Sequence, residues 1–156
     1  MGDILLDKAL AIDGWMSPVE LDWLARVASS SNKILEIGSY KGRSTRALCD
    51  NAKGTVTAVD PWAGPYITDN ESVLFDQAKS WDECQRNLAG VENLTIFRGY
   101  FEDFCKQNTE SYFDFVFIDG DHRYDSVIRD IYASLKLLKL GGILSGHDYT
   151  HPDWPG

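Results

Sequence analysis

Ile34-Leu35-Glu36-Ile37-Gly38-Ser39-Tyr40-Lys41-Gly42-Arg43-Ser44 decides the fold. Ile34 to Ile37 is a short apolar strand, Gly38 and Gly42 bracket a turn, and Ser44 to Asn51 reads as a helix. Glycine lets such a turn bring its backbone close to a ligand, and the helix that follows offers unsatisfied N–H groups to it. Strand, glycine turn and helix together form a unit of an α/β sheet, whose ligands bind at the carboxyl ends of the strands.

Outward from this unit the alternation continues. Val56 to Val59, Leu94 to Phe97, Phe113 to Ile118 and Ile143 to Ser145 read as further strands. Ser72 to Leu88 reads as a helical region with Ser80 as an internal restart, and Tyr124 to Lys139 as the clearest helix. In the latter, Val127, Ile128, Ile131, Leu135 and Leu138 recur at intervals of three and four, the mark of one apolar face. Five strands joined by helical crossovers predict an α/β, doubly wound parallel sheet, because right-handed connections leave few other arrangements. Upstream, Ser17-Pro18-Val19-Glu20 combines an N-cap serine, a proline at the first helical position and a reciprocal glutamate. Residues 1–32 are therefore expected to form a helical segment packed on a core spanning 33–156. Trp15 and Met16 read as packed core, with a flap over a pocket as the alternative.

The 156 residues suffice for one domain. No apolar run approaches the ~20 residues needed to cross a membrane, and the start, Met1-Gly2-Asp3-Ile4, is acidic rather than basic, so a cytoplasmic protein is expected. Cys49, Cys84 and Cys105 fit neither a zinc site nor a disulfide framework and read as reduced thiols. A net charge of -9 excludes a nucleic-acid partner that grips phosphates through clustered Lys and Arg. A small-molecule partner follows.

Candidate site residues gather at the predicted strand ends. Asp60 closes the second strand 22 residues after Gly38, where a carboxylate receives ribose hydroxyls in doubly wound nucleotide sites. Asp119-Gly120-Asp121-His122 ends the fourth strand and His147-Asp148 the fifth. A hard cation prefers oxygen ligands, so Asp119 and Asp148 with a third group could hold one, and imidazole shifts the preference from Mg²⁺ toward Mn²⁺ or Fe²⁺. An imidazole titrating near neutrality can also take a hydroxyl proton. Asp121 and Asp125 suit the start of the next helix, Arg123 and Tyr124 are candidate substrate contacts, and His151, Asp153 and Trp154 are either acceptor-pocket lining or a terminal tail.

Glu36-x-Gly38-x-x-x-Gly42 followed by Val59-Asp60 resembles the S-adenosylmethionine site of class I methyltransferases, and the resemblance runs from Ile34 through Tyr149. It implies a Rossmann-like sheet in the order 3-2-1-4-5, here without the family's usual strands 6 and 7. It further implies that Glu36, Gly38 and Gly42 line the methionine end, Asp60 takes the ribose, and Gly99, Tyr100 and Phe101 flank the adenine. Ser39, Tyr40, Ser44, Pro61, Trp62 and Asp119 complete the implied cofactor-binding set, with Trp62 reading either as a pocket wall or as a satellite core residue. The acids after the fourth and fifth strands resemble the metal-assisted O-methyltransferase branch of catechol, caffeoyl-CoA and macrolide-sugar enzymes. That branch implies Asp119, His147 and Asp148 as metal ligands, with His147 where an acid is usual, and His122 as general base. The expected function is O-methylation of a small hydroxyl compound with S-adenosylmethionine, assisted by Mg²⁺ or another divalent cation. An exposed fifth-strand edge predicts a homo-oligomer. The rival readings are an NAD-dependent oxidoreductase, whose Gly-x-Gly-x-x-Gly pattern lacks its third glycine here, and an inactive ligand-binding module.

Overall fold

The computed structural model describes residues 3–63, 66–67, 72–73, 77–110 and 112–148, with backbone alone for 66–67 and 72–73. Its main sheet has five parallel strands: β1 (Lys33–Ile37), β2 (Thr55–Asp60), β5 (Leu94–Arg98), β6 (Phe113–Ile118) and β7 (Leu138–Gly146). Their order, β5-β2-β1-β6-β7, is the expected 3-2-1-4-5. The chain reverses direction across the sheet between β1 and β6, the switch point at which doubly wound sheets open a crevice. A separate antiparallel pair, β3 (Tyr66–Ile67) with β4 (Ser72–Val73), follows β2.

Strand alternation sends the core to both faces. Ile34, Val56, Phe115 and Phe117 pack beneath α1 (Asp7–Leu10), α2 (Pro18–Ala28) and α3 (Arg43–Asn51), whereas Leu35, Ile37, Val59, Val116 and Ile118 face α5 (Phe101–Gln107) and α6 (Tyr124–Leu137). A satellite cluster of Trp62, Cys84 and Leu88 lies under α4 (Gln77–Asn87). Ser17 and Glu20 form the expected capping box, and Leu21, Leu24, Ala25 and Ala28 are the buried face of α2. Met16 is core, as expected, but the Trp15 ring is 65% exposed and lies 4.9 Å from the Tyr40 ring.

Four expectations need correction. The helix expected from Ser72 begins at Gln77, because Ser72 and Val73 pair with the preceding strand. Phe101–Gln107 is a helix, too short and too weakly capped to announce itself in sequence. α6 stops at Leu137, and β7 starts at the next residue, well before Ile143. The apolar stripe of α6 is only partly its buried face: Ile131 packs against the core, but Ile128 and Leu135 are 36% and 52% exposed, whereas Ser126, Asp130, Ser134 and Leu137 are buried. Polar groups at the cavity and small side chains at a close helix-on-sheet approach decide the rotation of this helix, overriding its hydrophobic periodicity. β7 is the outer strand, with Leu140 and Ile143 exposed. The three cysteines are free thiols, Cys49 and Cys84 buried and Cys105 half-buried. No described helix is long and apolar enough to cross a membrane.

Candidate active site

The β1 turn is built over a buried acid. Glu36 is 0% exposed, and its Oε2 accepts the hydroxyls of Ser39, at 2.9 Å, and of Thr45, with Ser44 a further donor. Among the described residues its Oε1 has no hydrogen-bond partner. Burial, only partly offset by these hydroxyls, pushes the Glu36 carboxyl up to about 7. Glu36, expected at the methionine end, therefore holds the turn from below and is not among the residues that line the cavity described below. Ser39 and Ser44 are buried with it.

Above the turn, Asp60 takes three backbone donors. Its Oδ2 accepts the N–H of Ser39 at 2.9 Å and of Tyr40 at 3.0 Å, and its Oδ1 accepts that of Trp62 at 2.7 Å. Burial raises the Asp60 carboxyl, and these N–H groups pull the other way. Three of the four lone-pair sites of the carboxylate are taken, which leaves acceptor capacity on Oδ1, and Asp60 lines the cavity. Tyr40 and Trp62 pay for this arrangement with left-handed backbones, φ 47° and 40°, a conformation non-glycine residues hold only where surrounding contacts enforce it. Trp62, for which pocket wall and satellite core were the two readings, is 2% exposed in the satellite core, its ring 4.6 Å from that of Trp81 and tilted by 56°, and its indole N–H donates to the Tyr40 carbonyl at 2.6 Å. Gly99 likewise supports the loop: its N–H donates to the Asp60 carbonyl at 3.0 Å.

A cavity of about 540 Å³ opens at this edge, lined by Gly38, Tyr40, Asp60 and Pro61 on one side and by Tyr100 and Phe101 beyond β5. Asp119 and His122 line it from the β6 end. Its size suits a small ligand or cofactor. Gly42 does not line it but caps α3 with φ 87°, and a side chain there would begin 3.0 Å from Leu88.

The acid and imidazole cluster assembles as expected from β6 and β7. His122 Nδ1 lies 3.3 Å from Asp148 Oδ2, and its Nε2 lies 3.7 Å from Asp119 Oδ1. His147 Nδ1 is 2.9 Å from Asp148 Oδ1 and 3.5 Å from Asp119 Oδ1, while its Nε2 is 3.2 Å from Glu20 Oε1. Asp119 raises the His122 imidazole by hydrogen bonding, and Asp148 adds to this. Burial raises the Asp119 carboxyl in turn. Asp148, with φ 62°, joins Tyr40 and Trp62 as the third described non-glycine residue with a left-handed backbone.

Among the described residues, Asp119, His122 and Asp148 form a group that could hold a metal ion, each offering an atom within 4.8 Å of the others. His122 stands in that group where His147 was expected. His147 spans instead from the carboxylates to Glu20. Asp121 is bound to Arg123, with Nε to Oδ2 at 2.8 Å, and to the Ser126 hydroxyl at 2.8 Å. Those donors bring its carboxyl down to about 2 although burial works against them. Arg123 is thereby committed to Asp121, and Tyr124, at the start of α6, is exposed. His151, Asp153 and Trp154 lie outside the described residues. Sequence reading missed Asp130, Glu102 and Arg129 as cavity lining. The polar row Ser126, Asp130, Ser134 was the available signal.

Residues 35–149 match the family described as a methyltransferase domain. The chain belongs to that family. This methyltransferase domain is 26% identical over 121 residues to an uncharacterized protein of Acanthamoeba polyphaga mimivirus, covering 77% of this chain and 52% of that protein. Its fold is similar to that of an O-methyltransferase from Bacillus cereus in complex with SAH, with a TM-score of 0.64 at 22% identity, over 88% of this chain and 60% of that one. It is also similar to the O-methyltransferase TomG from Streptomyces achromogenes, involved in tomaymycin synthesis and in complex with SAM, with a TM-score of 0.66 at 20% identity, over 88% and 63% of the two chains. The methyltransferase domain thus spans about half the length of the curated relative and under two thirds of these solved chains.

Proposed function

We propose that this methyltransferase domain uses S-adenosylmethionine to methylate a hydroxyl group of a small molecule. One observation carries the reading: the Gly38 turn and Asp60 share a cavity with Asp119 and His122, so a donor site and a proton-accepting site open on the same space. The similar enzymes from Bacillus cereus and Streptomyces achromogenes, bound to SAH and SAM, support the donor's identity.

In this reading Gly38 and Tyr40 face the methionine portion, Asp60 receives the ribose, and Tyr100 and Phe101 flank the base. His122, oriented by Asp148 and Asp119, takes the acceptor's hydroxyl proton. The freed oxygen forms a bond to the methyl carbon as the carbon–sulfur bond breaks, and that electron pair stays on sulfur. Alignment of two reactants in one cavity supplies most of the rate. Asp119 and Asp148 are suited to a divalent cation, which when bound would lower the hydroxyl's pKa.

A second reading is favoured by the closeness of Asp119, His122 and Asp148, in which His122 is a metal ligand rather than the base. Mn²⁺ titration followed by electron paramagnetic resonance separates the two, because removing His122 weakens ion binding only if it ligates. We also propose self-association through the exposed β7 edge, and a single monomeric species in sedimentation would contradict it.

The function is tested by titrating the protein with S-adenosylhomocysteine and with NAD, then assaying methyl transfer to hydroxyl compounds by mass spectrometry. Saturable binding of the first, none of the second, and a product carrying one added methyl group are expected. Binding without transfer to any acceptor would favour the inactive-module alternative.

A further inference from the structure

The two carboxylate oxygens of Glu20 have different tasks. Oε2 closes the cap of α2, accepting both the Ser17 N–H and the Ser17 hydroxyl at 2.7 Å. The capping box needs no more than that one oxygen. Oε1 turns the other way and lies 3.2 Å from His147 Nε2. Burial works against the charge, yet the Ser17 donors and His147 hold the Glu20 carboxyl below its usual value, so it is ionised at neutral pH.

From His147 the contacts run on into the cluster. Its Nδ1 is 2.9 Å from Asp148 Oδ1, and the other oxygen of Asp148 is 3.3 Å from His122 Nδ1. Ser17, Glu20, His147, Asp148 and His122 therefore form one unbroken chain, in which the two oxygens of each carboxylate and the two nitrogens of His147 face different neighbours. Both ends of the Glu20–His147 contact are anchored. Leu21, Leu24, Ala25 and Ala28 bury α2 against the core, and the His147 N–H donates to the Ile118 carbonyl at 3.0 Å. Asp148 is the weak link: its left-handed backbone, φ 62°, holds only where surrounding contacts enforce it. His147 can supply such a contact only while its ring keeps one orientation. The carboxylate at its far nitrogen fixes that orientation.

We propose that Glu20 is a positioning residue for the acid and imidazole cluster: by fixing the His147 ring it holds Asp148 where a divalent cation and His122 meet it. The inference rests on the cation half of the reading above and extends the site to a helix that precedes the matched residues 35–149. Removing a carboxylate that orients an imidazole beside a metal ion weakens ion binding by roughly 10- to 100-fold. The capping role of Glu20 gives no such effect, so the two roles separate by experiment.

Mn²⁺ titration of the full chain followed by electron paramagnetic resonance tests the assignment, counting the ion that is lost in Asp148→Ala. Glu20→Ala is expected to weaken that ion by about 10-fold or more. Glu20→Gln, which keeps one acceptor for His147, should lie between Glu20→Ala and the wild type. Ser17→Ala removes the capping hydroxyl but neither Glu20 nor His147, so it should lower the urea midpoint while Mn²⁺ affinity stays within about twofold. In a His147→Ala background, Glu20→Ala should change the affinity by no more than about twofold, because the link is already cut. S-adenosylhomocysteine affinity by calorimetry should be the same in all of these proteins. Unchanged Mn²⁺ affinity in Glu20→Ala, or an equal loss in Ser17→Ala, would overturn the assignment and leave the cation reading intact. A wild type that binds S-adenosylhomocysteine but no Mn²⁺ would remove the cation reading and this assignment together, with the donor reading untouched.

Discussion

A side chain on Gly38 would begin 2.1 Å from the backbone carbonyl oxygen of Asp119. The turn after β1 and the tip of β6 are therefore in backbone contact, reinforced by the Asp119 N–H donating to the Ile37 carbonyl at 2.7 Å. Donor-binding turn and acid cluster form one rigid piece, and Gly38, with φ +87°, is its hinge point. Gly38→Ala is expected to abolish S-adenosylhomocysteine binding and to lower stability by at least about 2 kcal/mol, through overlap and left-handed strain together. Calorimetry and urea unfolding of the variant check both.

Glu36 gives a pH signature. Its folded value of about 7 lies above the ordinary 4.5, so its contribution to stability is complete below pH 4.5 and is lost as pH rises to about 7. The loss is of order 3 kcal/mol at most. Asp130, also raised, acts in the same direction, so the wild type alone does not isolate Glu36. In Glu36→Gln the decline in urea midpoint between pH 4.5 and 7 should be visibly shallower than in the wild type. Parallel curves for the two proteins would contradict the assignment.

Asp114 fastens the far edge of the sheet. Its Oδ2 accepts the N–H groups of Asn32 and Lys33, each at 2.8 Å, and Lys139 donates to its Oδ1 at 2.8 Å. Lys139 and the two N–H groups hold its carboxyl below the usual 3.8 despite some burial. The stabilisation is therefore present above pH 3.8 and lost as pH falls further. Asp114→Ala is expected to cost about 1–3 kcal/mol at pH 7 by stranding those donors, with unchanged affinity for S-adenosylhomocysteine, because the residue lies at the opposite strand end from the cavity. Unfolding and binding measurements on one preparation check the split.

The acid and imidazole cluster predicts a strong dependence on Asp148. Asp148→Ala removes the partner of His122 Nδ1 and of His147 Nδ1, and is expected to reduce methyl transfer by about 100-fold or more while donor affinity changes little. Steady-state turnover with a saturating acceptor, beside calorimetry with S-adenosylhomocysteine, would show it. Equal losses in both would assign Asp148 to folding rather than chemistry.

Much of this was legible in the residues. The five strands and their order follow from apolar runs separated by helical crossovers, and Gly38, Asp60, Asp119, His122 and Asp148 meet at one edge as the strand ends require. Other features escaped because tertiary contacts decide them. α6 turns Asp130 toward the cavity and leaves Ile128 and Leu135 partly exposed, against its own periodicity. Trp62 is drawn into the core by Trp81 and by the Tyr40 carbonyl, contacts distant in sequence. The burial of Glu36 is not written in its motif, since only the packing of α3 brings Thr45 beneath the turn. The place of His122 beside both carboxylates depends on the β6–β7 register, which no local pattern encodes.

The central claim is that the Gly38 turn and Asp60 bind the methyl donor. Isothermal titration of the wild type with S-adenosylhomocysteine tests it most directly. One saturable site per chain, unaffected by excess NAD, is the expected result. No heat and no thermal stabilisation at millimolar ligand would contradict the account.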